Sequence, residues 1–275
     1  MEKEIAIHAH LVNIIITRLS SDKTIRILDA GCGTLGFSKY LLKYLDKKYG
    51  VDIEIYGYEI SDFYDKKRVD DIIDKDMLLT NSGIKERISI VSIDNYKLPY
   101  EDSFFDFIIS NQVIEHVANL EEFYREQNRI ISPDGCQIHC FPTKEIFIEP
   151  HLKIPLIHNL LHSKIAFGYL KFMFWLKGKT DPAFLLNRLN YMHTDTNYKT
   201  LRWHLKKLRS MKMKAESKYN IYFPIIKIFS LTGKQKHFRY RSFGLLERPI
   251  AAIACFFYST TILAEPNRSL TAKTV

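Results

Sequence analysis

The segment ILDAGCGTLGF, residues 27–37, constrains the fold more than any other part of the sequence. Its apolar start is typical of a buried strand, and Gly31, Gly33 and Gly36 follow it in the spacing G-x-G-x-x-G. A helix-like stretch, FSKYLLKYLDKKYG, begins directly after the glycines. A strand that ends in such a loop and opens a helix lets the backbone approach a bound nucleotide closely. The segment therefore predicts an α/β sheet with a nucleotide-like ligand at the carboxyl end of its first strand.

Strand-like and helix-like segments alternate through the first half of the chain, which is typical of a parallel sheet. The strand-like segments are TIRILDAG, IEIYGYEI, ISIVSIDN, FDFIISNQ and CQIHCFPT. We expect a first helix over Lys3–Leu19 and a helical stretch in RVDDIIDKDMLLTNSG. The segment LEEFYREQNRIIS predicts a further helix that ends at the turn Pro133–Gly135.

The second half of the chain has a looser pattern. The segment NYKTLRWHLKKLRSMKM predicts an amphipathic helix, which Thr194 or Thr196 would cap. Residues 249–264 carry no charge and predict a buried helix turn that leads into a final strand. Sixteen residues are short for a membrane span, so a buried position is the preferred interpretation.

Asp29 indicates which ligand the glycine loop binds, because it lies two residues before Gly31. Near the pyrophosphate of NAD a carboxylate would be repelled. Near the ammonium group of a methionine moiety it would accept a charge-assisted hydrogen bond. S-adenosylmethionine carries that ammonium group and no phosphate, so Asp29 favours it over NAD. A role limited to capping the following helix is the structural alternative.

The sequence at this point resembles a known family. ILDAGCGTLG resembles the first motif of class I S-adenosylmethionine-dependent methyltransferases. The segments YGYEIS, VSIDNYKLPYEDSFFDFIISNQVIEHV and FYREQNRIISPDG resemble later motifs of that family in the same order. Together they cover about residues 25–143. Leu35 departs from the pattern, because the family has its third glycine there.

The resemblance implies a set of residues that bind S-adenosyl-L-methionine. They are Asp29, Gly31, Cys32, Gly33, Glu59, Ile60, Asp94, Asn95, Asn111 and Gln112. Glu59 would accept hydrogen bonds from both ribose hydroxyls, since an ionised carboxylate only accepts. Ile60 would pack on the adenine face, and Asp94 would accept from the adenine amino group. Asn111 and Gln112 would close the site after the fourth strand.

The pattern and the resemblance together give the fold class and the domain organisation. We expect an α/β fold with a Rossmann-like doubly wound sheet, mostly parallel with an antiparallel C-terminal strand. Helices should cover both faces. Residues 1–275 are assigned to one methyltransferase domain, whose core comprises 22–143 and about 193–218 and 249–266. Helical or irregular inserts at about 144–192 and 219–248 would form a lid over the substrate.

Two histidines are candidates for a catalytic role. His116 follows the fourth strand in VIEHV, and His151 follows the fifth strand in EPHLKIP. Either side chain would act as a general base or bind the acceptor, with a purely structural role as the alternative. Glu149, His151 and His158 carry side chains that can ligate metal, but their spacing matches no strong motif. We therefore predict no metal site.

The two halves of the chain differ in charge. Residues 1–140 carry a net charge of −7 and residues 141–275 a net charge of +16, which together give +9. The basic half should attract an anionic partner. The alternative is that its surplus of lysine only keeps the protein soluble. We expect a small-molecule, glycan or lipid acceptor, with peripheral contact to an anionic membrane as a further partner. Nucleic acid ranks below these, because no RNA-binding motif is present.

The sequence thus predicts a methyltransferase that acts on an acceptor oxygen. The alternatives are an NAD-binding oxidoreductase and a non-catalytic S-adenosylmethionine-binding scaffold or membrane-docking protein. MEKEIAIHAH lacks the features of a secretion signal, and the four cysteines lack a zinc or disulfide spacing. We expect a cytoplasmic protein, or one that lies on the inner face of the membrane.

Overall fold

The computed structural model describes residues 2–19, 24–46, 50–92, 96–218 and 260–267. The main-sheet strands are β1 (Ile25–Ala30), β2 (Ile53–Ile60), β3 (Ile88–Val91), β4 (Phe105–Asn111), β5 (Ile131–Phe141), β8 (Met213–Lys218) and β9 (Thr260–Pro266). A small separate sheet contains β6 (Ile148–Glu149) and β7 (Ile154–Pro155). The helices are α1 (Glu2–Ile16), α2 (Gly36–Leu41), α3 (Lys66–Asp74), α4 (Met77–Asn81), α5 (Leu120–Ile130), α6 (Ile157–Leu160), α7 (Ala166–Trp175), α8 (Pro182–Thr194) and α9 (Leu201–Ser210).

The seven main strands lie in the order β3-β2-β1-β4-β5-β9-β8. Strands β1 to β5 are parallel, β9 is antiparallel to β5, and β8 is antiparallel to β9. The strand order reverses between β1 and β4, which is where ligands bind in sheets of this kind. The predicted fold class is confirmed, including the antiparallel C-terminal strand.

Alternating side chains on the strands build one apolar layer on each face of the sheet. On β1, Ile27 packs into the layer that contains Leu11 of α1 and Leu41 of α2. Leu28, the next residue, packs into the opposite layer with Phe123 of α5. Each fully buried side chain of this size contributes about 1.5–3 kcal/mol to stability. The two layers hold β1 rigidly, and therefore fix the loop that follows it.

The insert at 144–192 has an apolar cluster of its own, which sequence patterning did not reveal. Helices α7 and α8 pack together through residues such as Leu170, Phe174 and Leu185. Leu152 and Ile154 from the segment before them complete the cluster. The other predicted insert, 219–248, lies outside the described residues. Among the helices that the structure describes, none has the length and apolar character needed to cross a membrane.

Two predicted helix boundaries are wrong. The predicted amphipathic helix ends at Ser210, and Met213 starts β8 instead of continuing it. Lys212 takes a left-handed φ of 63°, which ends the helix, and Met213 and Ala215 then alternate into the core. The helix is capped by Thr200, whose hydroxyl accepts from the Trp203 amide. Thr196 is not a cap, since its hydroxyl donates to the carbonyl of Met192.

The predicted turn at Pro133–Gly135 is part of a strand. Helix α5 ends at Ile130, and β5 begins at the next residue. The register of β5 against β4 shifts at this point, so the turn residues form a bulge. A Cβ at Gly135 would lie 2.8 Å from the carbonyl oxygen of Asp106. Glycine is therefore required where the bulge approaches β4.

Candidate active site

The loop after β1 has the left-handed turns that its glycines predict. Gly31 and Gly33 have φ values of 76° and 49°. The amides of Gly31 and Cys32 donate to the carbonyl of Tyr58 at 2.9 and 3.1 Å, which ties the loop to the end of β2. A Cβ on Gly31 would overlap the Val113 side chain. The loop therefore lies close against the segment that follows β4.

Leu35, the departure from the glycine pattern, also takes a left-handed φ of 61°. For a residue with a Cβ this conformation costs roughly 1–2 kcal/mol. Its side chain is fully buried in the same apolar layer as Leu41, and burial of a leucine contributes about 1.5–3 kcal/mol. Packing thus offsets the strain, and the loop keeps its path without a third glycine.

Asp29 is buried at the end of β1 and is 3% exposed. The hydroxyl of Ser38 in α2 donates to its Oδ2 at 2.6 Å. Burial raises the pKa of Asp29 to about 6, the hydrogen bond from Ser38 opposes the rise, and the negative charge of Glu59 adds to it. The contact with Ser38 anchors α2, as the structural alternative requires. At pH 7 the carboxyl group is nevertheless mostly ionised, as contact with an ammonium group requires.

Glu59 bridges the end of β2 and the glycine loop. Its Oε2 accepts from the Gly33 amide at 2.9 Å, and its Oε1 accepts from the Ile60 amide at 3.0 Å. Burial raises the pKa of Glu59, and these two amides oppose the rise. A carboxylate has about four acceptor positions. One of them fixes the glycine loop through Gly33, one binds the amide of Ile60 at the end of β2, and the remainder can accept from a ligand's hydroxyl groups.

A cavity of about 270 Å³ opens where β1, β2 and β4 end. Five predicted residues line it: Gly31, Glu59, Ile60, Asn111 and Gln112. Lining residues that the sequence did not single out include Tyr58, Phe63, Tyr96, Val113, Tyr191 and Asp195. The aromatic ones could not be found by a motif, because they come from separate elements that only the fold brings together.

Three other predicted cofactor residues that the structure describes, Asp29, Cys32 and Gly33, are not among the residues that line the cavity. Asp94 and Asn95 lie outside the described residues, although Ser92 and Tyr96 on either side of them line the cavity. Cys32 is buried against β2, where a Cβ on Gly57 would lie 2.9 Å from its Sγ. Cys32 therefore packs the loop against the sheet and does not face the cavity.

The two candidate histidines, His116 and His151, lie close together in the structure. The rings of His116 and His151 have centroids 5.0 Å apart, and His116 lines the cavity. His116 Nδ1 donates to the carbonyl of Asp195 at 2.6 Å. His151 Nδ1 donates to Glu149 Oε1 at 2.5 Å. Each imidazole is thus held through Nδ1 by an acceptor.

Two buried carboxyl groups flank these histidines. Burial alone would raise the pKa of Glu149, but hydrogen bonds from His151, Leu152 and Tyr198 lower it overall. Glu115 is 1% exposed, and neither of its carboxylate oxygens accepts a hydrogen bond from another residue that the structure describes. Burial raises the pKa of Glu115 to about 8. His158 is the third residue that the sequence offered as a metal ligand. Its Nε2 donates a hydrogen bond to the carbonyl oxygen of Lys144 at 3.1 Å.

The comparisons with known proteins agree with this geometry. The family model of the methyltransferase domain matches residues 28–138, from β1 into β5. These residues therefore form a methyltransferase domain. The match gives no support to the NAD-binding alternative.

Relatives of the methyltransferase domain act on diverse acceptors. A sterol 4-C-methyltransferase of Caenorhabditis elegans is 28% identical over 130 residues, which cover 47% of this chain and 34% of the relative. A malonyl-[acyl-carrier protein] O-methyltransferase of Legionella pneumophila is 31% identical over 111 residues, 40% of this chain and 34% of the relative. The chain thus spans about a third of the length of these relatives.

A solved structure has a fold similar to that of most of this chain. Phosphoethanolamine N-methyltransferase 2 of Haemonchus contortus, in complex with S-adenosyl-L-methionine, superposes with a TM-score of 0.51 at 12% identity. The alignment covers 93% of this chain and 52% of that chain. At this identity the likeness supports the fold alone.

Proposed function

We propose that the chain is an S-adenosylmethionine-dependent methyltransferase that methylates an oxygen of a small-molecule, glycan or lipid acceptor. The observation that carries the proposal is the cavity at the strand ends of a methyltransferase domain, which Gly31, Glu59 and Ile60 line. When bound, S-adenosylmethionine supplies a methyl group on a sulfonium. The protein then contributes chiefly by positioning the two reactants.

Residues at the cofactor end of the site would contact S-adenosylmethionine. Glu59 would accept from the ribose hydroxyls, and Ile60 would pack on the adenine together with Phe63, which is 58% exposed. Asp29 would attract the ammonium group through its ionised carboxylate. Asp94 would accept from the adenine amino group, as the family resemblance implies.

The acceptor end of the cavity suits a hydroxyl group. A hydroxyl must lose its proton during methyl transfer, and it therefore needs a nearby base or an ion. His116 and His151 would bind or deprotonate it there. The buried Oδ1 of Asn111 has no hydrogen-bond partner in the described part of the structure, so it can accept a hydrogen bond from a bound ligand.

The insert at 144–192 would form a lid over the acceptor. Tyr191 of α8 lines the cavity, as does Asp195, which follows that helix. The apolar cluster of the insert would keep the lid folded over the acceptor. The lid would exclude water from the reacting atoms.

Peripheral contact with an anionic membrane fits the exposed side of α7. Phe172, Trp175 and Leu176 are 54%, 62% and 58% exposed, and the rings of Phe172 and Trp175 stack with centroids 6.2 Å apart. Lys171 is exposed beside them. Apolar side chains with basic neighbours are typical of helices that lie in the lipid interface. A lipid acceptor would then reach the cavity from the membrane.

Replacement of both Phe172 and Trp175 by serine tests the membrane contact. We expect wild-type protein to sediment with vesicles that contain phosphatidylserine, and the double variant to lose most of this binding. Met77→Ser is the matched control, because Met77 is 78% exposed on α4 in another part of the surface. Equal sedimentation of all three proteins would contradict the contact.

Transfer of a labelled methyl group tests the proposed activity. The chain is incubated with methyl-labelled S-adenosylmethionine and with lipid, glycan and small-metabolite fractions of a cell extract. We expect label in one of these fractions, as a base-stable ether or a base-labile ester. Cofactor binding without transfer to any fraction would favour a non-catalytic scaffold, and label on nitrogen or carbon would contradict an oxygen acceptor.

A further inference from the structure

Glu115, His116 and His151 form a cluster that the predicted mechanism leaves partly unexplained. One ligand atom from each side chain lies within 4.8 Å of the other two. Glu115 and His116 belong to the single helical turn Ile114–His116 after β4, and His151 lies between β6 and β7. The fold therefore brings His151 to the adjacent pair Glu115 and His116, from which it is distant in the sequence.

Both imidazoles make the kind of hydrogen bond that metal-bound histidines make. The carbonyl of Asp195 can only accept, so His116 Nδ1 carries a proton and Nε2 holds the lone pair. His151 Nδ1 donates to Glu149, which leaves its Nε2 as the ligand atom. Metal-bound histidines almost always donate their other ring N–H to a carbonyl or a carboxylate. The cluster has one of each.

Glu115 gives the second, independent observation. Its side chain is 1% exposed, and neither oxygen accepts a hydrogen bond from another described residue. A buried carboxylate without partners is costly, and such groups are normally paired or coordinate a metal. A cation between Glu115 and the two histidines would satisfy it.

We propose that Glu115, His116 and His151 bind one divalent transition-metal ion beside the cavity. Two imidazoles and one carboxylate suit Zn²⁺, Mn²⁺ or Fe²⁺, whereas Mg²⁺ and Ca²⁺ prefer oxygen ligands alone. Three protein ligands leave coordination positions open, as catalytic metal sites do. This departs from the sequence-based expectation of no metal, which rested on the spacing of Glu149, His151 and His158.

The role of the ion in methyl transfer rests on the proposed function. The binding of the ion by the three side chains does not depend on it. The ion would bind the acceptor hydroxyl and lower its pKa, so that the proton passes to solvent before the lid covers the acceptor. The oxygen then forms its bond to the methyl carbon while the carbon–sulfur bond breaks and sulfur keeps the electron pair. His116 and His151 would act as ligands. Glu149 and Tyr198 would be positioning residues, since they hold His151.

Calorimetric titration with ZnCl₂ of the full chain, first stripped with a chelator, tests the site. We expect one ion per chain. Glu115→Gln and His151→Ala should each weaken Zn²⁺ binding at least tenfold, and Glu149→Gln about 10–100-fold. His162→Ala is the control, because His162 and His193 form another close pair, with ring centroids 5.6 Å apart. It should leave binding unchanged.

S-adenosylmethionine binding is measured on the same samples to separate the two proposals. Wild-type protein that binds S-adenosylmethionine but not Zn²⁺ would overturn the metal site and leave the proposed function intact. Zn²⁺ binding that survives in Glu115→Gln and His151→Ala but is lost in His162→Ala would also overturn it. Circular dichroism confirms folding, and the half-buried His151 provides a variant if Glu115→Gln is unstable.

Discussion

Replacement of Glu59 by alanine is expected to weaken binding of S-adenosylmethionine by at least tenfold. A hydrogen bond to a charged group contributes about 1.5–3 kcal/mol, and each 1.4 kcal/mol corresponds to about tenfold in affinity. The carboxylate would accept from ribose hydroxyls, and it already holds the amides of Gly33 and Ile60. The variant therefore loses both the ligand contact and the fixed position of the loop.

Glu54→Ala is the matched control for this prediction. Glu54 lies on the same strand, but its carboxylate pairs with Arg26 and Arg87 away from the cavity lining. Calorimetric titration of both variants with S-adenosylmethionine gives the comparison. If Glu59→Ala binds as tightly as Glu54→Ala, the cofactor does not contact Glu59, and the assigned cofactor end of the cavity is wrong.

Replacement of Gly31 by alanine is expected to lower both stability and cofactor affinity. The φ of 76° costs an alanine roughly 1–2 kcal/mol. The added Cβ would also overlap Val113, and overpacking of this kind typically costs about 1–3 kcal/mol. Both residues line the cavity, so relief of the overlap would shift its wall. Urea denaturation gives the loss of stability, and calorimetry gives the loss of affinity.

Two further variants separate the causes of the Gly31 effect. Gly36→Ala should be tolerated, since among the described residues no atom outside its own helix backbone and chain neighbours lies within 4 Å of the added Cβ. The double variant Gly31→Ala/Val113→Ala should recover part of the affinity, because it removes the overlap and retains only the backbone strain. Full stability and affinity in Gly31→Ala alone would show that the loop does not need this close approach.

The sheet and its glycine loop could be predicted from the sequence because both depend on local patterns. Alternation of Ile27 and Leu28 between the two apolar layers is a property of one strand. The strand that starts at Met213 was missed, since its pairing with β9 joins segments far apart in the chain. The effect of Leu35 on the loop could not be predicted either. Its backbone strain is offset by burial of the side chain, which only the folded structure shows.

The cluster of Glu115, His116 and His151 shows the same limit of prediction from sequence. Glu115 and His116 are adjacent, but His151 reaches them only through the hairpin of β6 and β7. The hydrogen bond from His116 to Asp195 likewise joins residues 79 positions apart. Spacing rules examine one segment at a time. They therefore found the histidines separately and could not predict that the two would meet.

Calorimetric titration of the unmodified chain with S-adenosylmethionine, and in parallel with NAD, tests the central claim most directly. The account predicts saturable binding of S-adenosylmethionine with one molecule per chain, and no heat of binding with NAD. On this account, Asp29 would attract the ammonium group of the ligand, Glu59 would accept hydrogen bonds from its ribose hydroxyls, and the site would not require a phosphate. Binding of NAD without binding of S-adenosylmethionine would contradict it.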